Sequence, residues 1–191
     1  MTTPIELFKE DAQRWIEPGQ VVEDPKLTRR TILKLLYRHR PLRAMLWFRI
    51  GSWCRHKRLP ALPGIIQRRI MSHYGMEILV GADIGGGLYV AHPVGCVIVP
   101  ARMGRNCSVI AGVTIGMRNE WAFPAIGDNV FIGAGARVLG GIRVGDNAVI
   151  GANAVVIHDV PAGVTAVGVP ARPGQKAVSA ATPPDMETVA V

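Results

Sequence analysis

Aliphatic residues followed by glycine recur every six residues in the second half of the chain, and this period restricts the fold more than any other feature. The step runs without a slip from Ile126 to Val156, and upstream it runs from Ile78 to Val90. After one extra residue near Cys96, we place it again from Val97 to Ile115. A short fixed period is typical of solenoids, in which each repeat packs only against its neighbours.

Three six-residue repeats make one triangular coil of about 18 residues, with each aliphatic side chain pointing into a narrow interior. Residues 78–161 supply four to five such coils by this arithmetic. Ala134 and Ala152 are 18 residues apart, so we expect them to stack on successive coils. Between Ile115 and Ile126 the step is eleven residues, which predicts a loop that leaves the solenoid and exposes Trp121 and Phe123.

The first third of the chain has helical patterning instead of the repeat. Apolar positions alternate with basic ones after residue 28, Pro41 is suited to opening a second helix, and a third helix ends near Gly75. We therefore predict an N-terminal basic helical region at 1–75, a β-helix domain at 76–175 and a flexible tail at 176–191.

The positive charge is confined to the helical region. Residues 26–70 hold 13 Lys or Arg and no Asp or Glu, whereas the rest of the chain holds 9 basic and 14 acidic residues. A local basic patch indicates a local anionic partner. Aromatic residues make up only 6%, which disfavours a stacking platform for nucleic acid.

Three sparse cysteines and the lack of a signal peptide or a long apolar run favour a reduced, cytoplasmic location.

The segments GMEI, HPVG, SVIAGVTIG and AVGVPAR, joined by the repeat, resemble the hexapeptide-repeat acyltransferases, and among them the serine acetyltransferase branch. The resemblance implies a mainly β fold, a left-handed parallel β-helix with a small N-terminal α-helical region. It also implies a homotrimer that uses acetyl-CoA as co-substrate and holds no metal.

The same resemblance implies the catalytic residues. His92 in HPVG occupies the place of the general base that takes the proton from the acceptor hydroxyl. Glu77 matches a carboxylate that orients the imidazole, although the family usually has Asp there.

For acetyl-CoA, the resemblance implies a groove between two neighbouring subunits. Small residues let the pantetheine arm approach the backbone, and a cation meets the phosphates. The positions that match are Gly116 and Met117 at the thiol end, Ala134 and Ala152 along the arm, and Arg172 at the phosphate end.

Three positions differ from the serine acetyltransferase pattern. Ala91 precedes the histidine where the family has Asp. Ala122 and Phe123 stand where the family's loop has Arg and His. Recognition of a zwitterionic amino acid depends on pairing its charges, so these changes disfavour serine as acceptor. The rings of Trp121 and Phe123 instead favour the flat face of a pyranose ring.

The basic N-terminal segment resembles that of the capsule and exopolysaccharide acetyltransferases of the colanic-acid type. That resemblance implies a sugar or polysaccharide acceptor made at the inner face of the membrane. It also gives the basic helices, residues 26–70, an anionic lipid surface as partner. Packing of these helices within the trimer is the alternative explanation of their charge.

Other functions stay open at this point. The first alternative is serine O-acetylation, and the second is a non-catalytic trimeric scaffold. A γ-type carbonic anhydrase on the same fold requires three zinc-binding histidines, whereas the repeat region holds only His92 and His158.

Overall fold

The computed structural model describes residues 3–21 and 27–176 of the chain, so that most of the predicted tail lies outside the described residues. The described part begins with helices and continues as short strands. The helices are α1 (Pro4–Gln13), α2 (Arg29–Arg38), α3 (Arg40–His56) and α4 (Leu62–Tyr74).

The helix ends follow local chemistry. Thr3 and Glu6 form a capping box at the start of α1, in which each side chain binds the other's backbone N–H. Pro41 lies in the first turn of α3. Gly75 ends α4 in the left-handed conformation, with φ of 65°. Helix α1 is the one that the sequence prediction missed, although Thr3, Pro4 and Glu6 form a recognisable start signal.

Short strands separated by turns follow one another from residue 77 to residue 176. They are β1 (Glu77–Ile78), β2 (Tyr89–His92), β3 (Val97–Ile98), β4 (Arg102–Met103), β5 (Ser108–Ala111), β6 (Thr114–Gly116), β7 (Ala125–Ile126), β8 (Phe131–Ile132), β9 (Arg137–Leu139), β10 (Arg143–Val144), β11 (Val149–Ile150), β12 (Val155–Val156), β13 (Val164–Gly168) and β14 (Ala171–Lys176).

These strands form three parallel sheets, one on each side of a β-helix. Sheet 1 has the order β1-β3-β6-β9-β12, sheet 2 the order β4-β7-β10, and sheet 3 the order β2-β5-β8-β11-β13-β14. Only the last pair, β13 and β14, is antiparallel. We call the corner where sheet 3 leads into sheet 1 the first edge, and the corner where sheet 1 ends the second edge. The predicted mainly β fold and its parallel β-helix are confirmed.

The interior of the β-helix is a column of aliphatic side chains, each 4% exposed or less. Its members are Ile78, Ile84, Val90, Ile98, Met103, Val109, Ile115, Ile126, Ile132, Val138, Val144, Ile150, Val156, Val160 and Ala166.

The register of the second coil differs from the predicted one. Ile98 is fully buried and pairs with Ile78 and Ile115, whereas Val97 is only half-buried. Eight residues separate Val90 from Ile98 and five separate Ile98 from Met103, so two extra residues are followed by one fewer. The prediction of Val97 as an interior residue is therefore wrong by one position.

A buried ion pair fastens α1 and α3 to the first coil. Asp11 accepts hydrogen bonds from Arg49 Nε at 2.8 Å, Arg49 Nη2 at 2.9 Å and the Leu88 N–H at 2.9 Å. Arg49 also donates to the carbonyls of Ile84 and Gly85. Burial raises the pKa of the Asp11 carboxyl, and the Arg49 guanidinium opposes that rise. All polar groups of the pair are thus hydrogen-bonded away from water.

The apolar side that the sequence predicts for α3 is only partly buried. Leu42, Met45 and Phe48 lie in the core at 0% exposure, but Ile50 and Trp53 remain 38% and 42% exposed. In the described part of the chain no helix combines the length and the apolar character needed to cross a membrane.

Candidate active site

His92 lies at the first edge of the β-helix, as the last residue of β2. Its side chain is exposed, and its strand position pairs with Ala111 of β5. A hydrogen bond spans the corner beyond it, because Cys96 Sγ donates to the His92 carbonyl at 3.3 Å. Within the described residues no side chain hydrogen-bonds the imidazole, so the ring is free to meet an acceptor hydroxyl.

Glu77 lies one coil earlier on the same edge. It begins β1, is exposed, and pairs in register with Val97, just beyond the His92 corner. The two coils are joined at this corner by the Gly95 N–H, which donates to the Gly75 carbonyl at 2.8 Å. Glu77 and His92 are thus brought to one edge without a hydrogen bond between their side chains.

A row of small residues continues the first edge below His92. Ala111, Ala134 and Ala152 occupy successive coils. The Gly135 N–H donates to the Ala111 carbonyl at 2.7 Å, and the Asn153 N–H donates to the Ala134 carbonyl at 2.8 Å. Ala152 is exposed and the other two alanines are half-buried. Ala111 belongs to this row although the sequence prediction did not include it.

Gly116 and Met117 lie at the second edge instead. Gly116 ends β6, and Met117 is 47% exposed beyond it. A Cβ placed on Gly116 would have no atom within 4 Å, and its φ is not in the left-handed region. Neither packing within the chain nor backbone conformation therefore explains the glycine, and the open space fits a ligand chain that approaches the backbone.

The two edges are the opposite margins of sheet 1. With about 3.3 Å per residue along a strand, Ala111 and Gly116 are roughly 10 Å or more apart. One chain thus aligns His92, Ala134 and Ala152 along the same edge, whereas Gly116 lies on the other edge. A site that uses both edges needs a second copy of the chain.

The predicted loop leaves the second edge between β6 and β7. Trp121 is 83% exposed, while Phe123 is half-buried. Their rings pack edge to face, with centroids 5.3 Å apart. The loop therefore offers one aromatic surface, fixed from behind by a second ring.

Charged residues of the same loop line a cleft of about 230 Å³ beneath it. Arg118 and Glu120 form its outer wall, and Gly140 and Ile142 of the next coil form part of its floor. The sequence prediction missed Arg118 and Glu120, because it compared only the end of the loop with the family pattern.

Arg172 is far from these residues along the axis. It is exposed on β14 and pairs with Val167 at the end of the β-helix that is opposite to the helices. Among the described residues no group of three or more His, Cys, Asp or Glu side chains is arranged to hold a metal ion.

Comparison with known families assigns the repeat. The family described as bacterial transferase hexapeptide (six repeats) matches residues 124–158. The serine acetyltransferase of Helicobacter pylori (strain J99) is 37% identical over 154 residues, which is 78% of this chain and 89% of that protein. The serine acetyltransferase of Synechococcus elongatus is 37% identical over 144 residues, 73% of this chain and 59% of that protein.

Solved structures agree with these relatives. Serine acetyltransferase of Neisseria gonorrhoeae in complex with serine has 35% identity and a TM-score of 0.75, covering 89% of this chain and 68% of that one. A serine acetyltransferase in complex with CoA has 32% identity and a TM-score of 0.74, covering 90% of this chain and 70% of that one.

The chain spans only part of several relatives. It covers 59%, 45% and 39% of the serine acetyltransferases from S. elongatus, rice and Arabidopsis thaliana. The predicted closeness to capsule and colanic-acid acetyltransferases receives no support from the relatives described above.

Proposed function

Because the chain belongs to the serine acetyltransferase family, we propose that it is an acetyl-CoA-dependent O-acetyltransferase whose acceptor is the hydroxyl of serine. The observation that carries this proposal is the likeness to a serine acetyltransferase over 78% of this chain and 89% of the relative. Serine, the alternative acceptor in the sequence analysis, thereby becomes the leading one.

His92 is the general base in this proposal. A hydroxyl is a weak nucleophile until its proton has an acceptor, and a neutral imidazole suits that task near pH 7. The exposed ring of His92 is free for this contact. Glu77, on the same edge, orients the ring and stabilises the imidazolium that forms. The serine oxygen then attacks the acetyl carbonyl as its proton passes to His92. The C–S bond of the thioester breaks, and the imidazolium returns the proton to the departing CoA thiolate.

The chain's own residues fit acetyl-CoA, which supplies the activated acetyl thioester. Ala111, Ala134 and Ala152 place only methyl groups at three successive positions of the first edge, so a long thin ligand can approach the backbone there. Gly116 provides open space at the second edge. Arg172 supplies a cation for the phosphates at the far end.

Recognition of serine requires opposite charges near its carboxylate and its ammonium group. Ala91 and Ala122 do not supply them, but Arg118 and Glu120 of the loop carry one charge of each sign beside the same cleft. Neither takes part in an ion pair among the described residues. We assign them the role for which the family uses the end of its loop.

The proposed site also requires an oligomer. His92 belongs to the first edge and the loop to the second, so the first edge of one copy must face the second edge of another. Heterologous contacts of this kind close into rings, and three subunits fit the three-sided cross-section. We infer a homotrimer with one site at each contact.

The experiment that tests the proposal is release of CoA from acetyl-CoA, followed with a thiol reagent, with serine as acceptor. We expect turnover by the wild type and a loss on the order of 10²-fold or more in His92→Ala with the oligomer intact. His56→Ala is the matched control, because His56 is exposed at the end of α3 and belongs to neither edge of the β-helix. Absence of both CoA binding and turnover with any hydroxyl acceptor would leave the scaffold alternative.

A sugar hydroxyl is the second candidate acceptor, and one observation favours it. Trp121 is 83% exposed with Phe123 packed behind it, which is an arrangement suited to the face of a pyranose ring. A panel of sugars assayed beside serine separates the two acceptors. With serine as the substrate, Arg118→Gln raises KM and Trp121→Ala has little effect. With a sugar as the substrate, the two variants exchange roles.

A further inference from the structure

Helices α3 and α4 form an antiparallel pair that covers the end of the β-helix. Gly51 of α3 lies against Ile66 of α4, because a Cβ on Gly51 would come within 2.9 Å of the Ile66 side chain. Further along, the Arg69 guanidinium lies 4.8 Å from the centre of the Trp47 ring. These two contacts align the helices in opposite directions.

Four large apolar side chains on these helices are exposed, and one of them, Trp53, borders a groove that Pro4 and Leu7 of α1 also line. Ile50 and Trp53 of α3 are 38% and 42% exposed, and Leu62 and Ile65 of α4 are 44% and 59% exposed. We call these four residues the outer helical face. Large side chains grouped in this way mark a surface that meets a partner, whereas single exposed residues do not.

The surroundings of the outer helical face are positively charged. No Asp or Glu occurs between residues 27 and 76. One carboxylate, Asp83, lines a groove beside Trp53. The exposed Lys and Arg residues of α3, α4 and the turn between them are Arg40, Arg43, Arg55, Lys57, Arg58, Arg68 and Arg69.

We propose that the outer helical face docks the enzyme on an anionic lipid bilayer. Basic residues around a centre of Trp, Ile and Leu are the pattern with which peripheral helices lie in the headgroup region. A second copy of the same face would bring like charges together. Nucleic acid would pair with the cations but would leave the apolar side chains of Ile50, Leu62 and Ile65 exposed to water.

The test is co-sedimentation of the full chain with vesicles of phosphatidylcholine alone and of phosphatidylcholine mixed with phosphatidylglycerol. We expect binding to the mixed vesicles at low salt, weakening with salt, and little binding to the neutral ones. The double variant R68Q/R69Q lowers the partition coefficient on the order of tenfold or more. The variant W53S/I65S also weakens binding, because it removes apolar contacts.

The matched control is R102Q/R143Q, which loses the same charge from exposed positions on sheet 2 and should keep wild-type binding. Acetyl-transfer activity and the thermal midpoint verify that each variant is folded. The proposal is overturned if the protein does not bind anionic vesicles at low salt, or if the control loses binding equally. A change in native mass caused by W53S/I65S also overturns it, because that result assigns the face to a second copy. Tighter binding to duplex DNA than to vesicles, lost in the same variants, assigns it to nucleic acid.

Discussion

Gly116 and Gly133 are superficially alike, since each ends or follows a short strand of the β-helix. Their surroundings differ. A Cβ on Gly133 would lie 2.7 Å from the Ala152 nitrogen and 2.9 Å from the Gly151 carbonyl carbon, whereas a Cβ on Gly116 would meet nothing within 4 Å. Gly133 is therefore needed for the coils to stack, while Gly116 is available for a ligand.

This difference predicts opposite effects of two substitutions. Gly133→Ala should lower the free energy of unfolding by roughly 1–3 kcal/mol, because the backbone of the next coil must move. Gly116→Ala should change it by less than about 0.5 kcal/mol but raise KM for acetyl-CoA. Urea denaturation and steady-state kinetics measure the two effects. A normal KM in folded Gly116→Ala would remove Gly116 from the cofactor site.

The three cysteines give a prediction that depends on pH. Cys54, Cys96 and Cys107 are free and buried, and burial raises the pKa of Cys107 to about 11. The unfolded chain ionises this thiol near 9, so between these values the folded state holds the extra proton and stability falls as pH rises. We expect Cys107 to lower the free energy of unfolding by about 1 kcal/mol at pH 10 relative to pH 8.

Two measurements check this expectation. Urea midpoints at the two pH values should differ less in Cys107→Ala than in the wild type, which isolates the thiol from other titrating groups. Ellman's reagent at pH 8 should label the native protein slowly at all three positions and the unfolded chain at once. Rapid labelling of Cys107 in the folded protein would contradict the burial on which the expectation rests.

At the scale of elements, the attachment of α1 and α3 depends on Arg49. Its guanidinium joins Asp11 of α1 to the Ile84 and Gly85 carbonyls of the first coil. Arg49→Met should lower the free energy of unfolding by about 3–5 kcal/mol, because it leaves a buried carboxylate without its partner. Arg43→Met, an exposed position on the same helix, is the control and should change it by less than about 0.5 kcal/mol. Equal urea midpoints for the two variants would contradict the role of the pair.

Sequence reasoning succeeds for elements whose pattern is local. The six-residue period predicts the β-helix, because every Ile or Val of the period must reach the same interior. It fails where strand pairing determines which residue is buried, as at Ile98. Two extra residues before Ile98 and one missing residue after it leave a net surplus of one, which looks like a single insertion near Cys96. The ion pair of Asp11 and Arg49 leaves no local trace either, because its partners are 38 residues apart.

The same division applies to the candidate site. The resemblance assigned roles to His92 and Glu77, and the 18-residue spacing of Ala134 and Ala152 foretold their stacking. The two charged residues of the loop could not be predicted from the sequence. Arg118 and Glu120 line one cleft only because the folded loop lies against the next coil. Motif comparison therefore predicts which residues share an edge better than it predicts which residues share a cleft.

At the scale of the whole molecule, the separation of the two edges makes the proposed site a property of the proposed assembly. His92 lies at one margin of sheet 1, and Gly116 with its loop lies at the opposite margin. A site shared between subunits should be restored when two differently damaged chains are mixed, whereas a site within one chain should not.

We therefore predict complementation between His92→Ala and Gly116→Trp. Each variant alone should be inactive, because every site in its trimer lacks either the base or the space for the cofactor. In a mixed trimer, one contact joins the intact His92 of one subunit to the intact Gly116 of the next, so about one site in three is complete.

Co-expression with two affinity tags isolates the mixed trimers, and acetyl-CoA turnover per trimer measures recovery. The double variant His92→Ala/Gly116→Trp mixed with wild type is the control, because it leaves one intact contact in trimers with two wild-type subunits and none in trimers with one. Mixed trimers without activity, beside an active control, would place both groups of each site within a single chain.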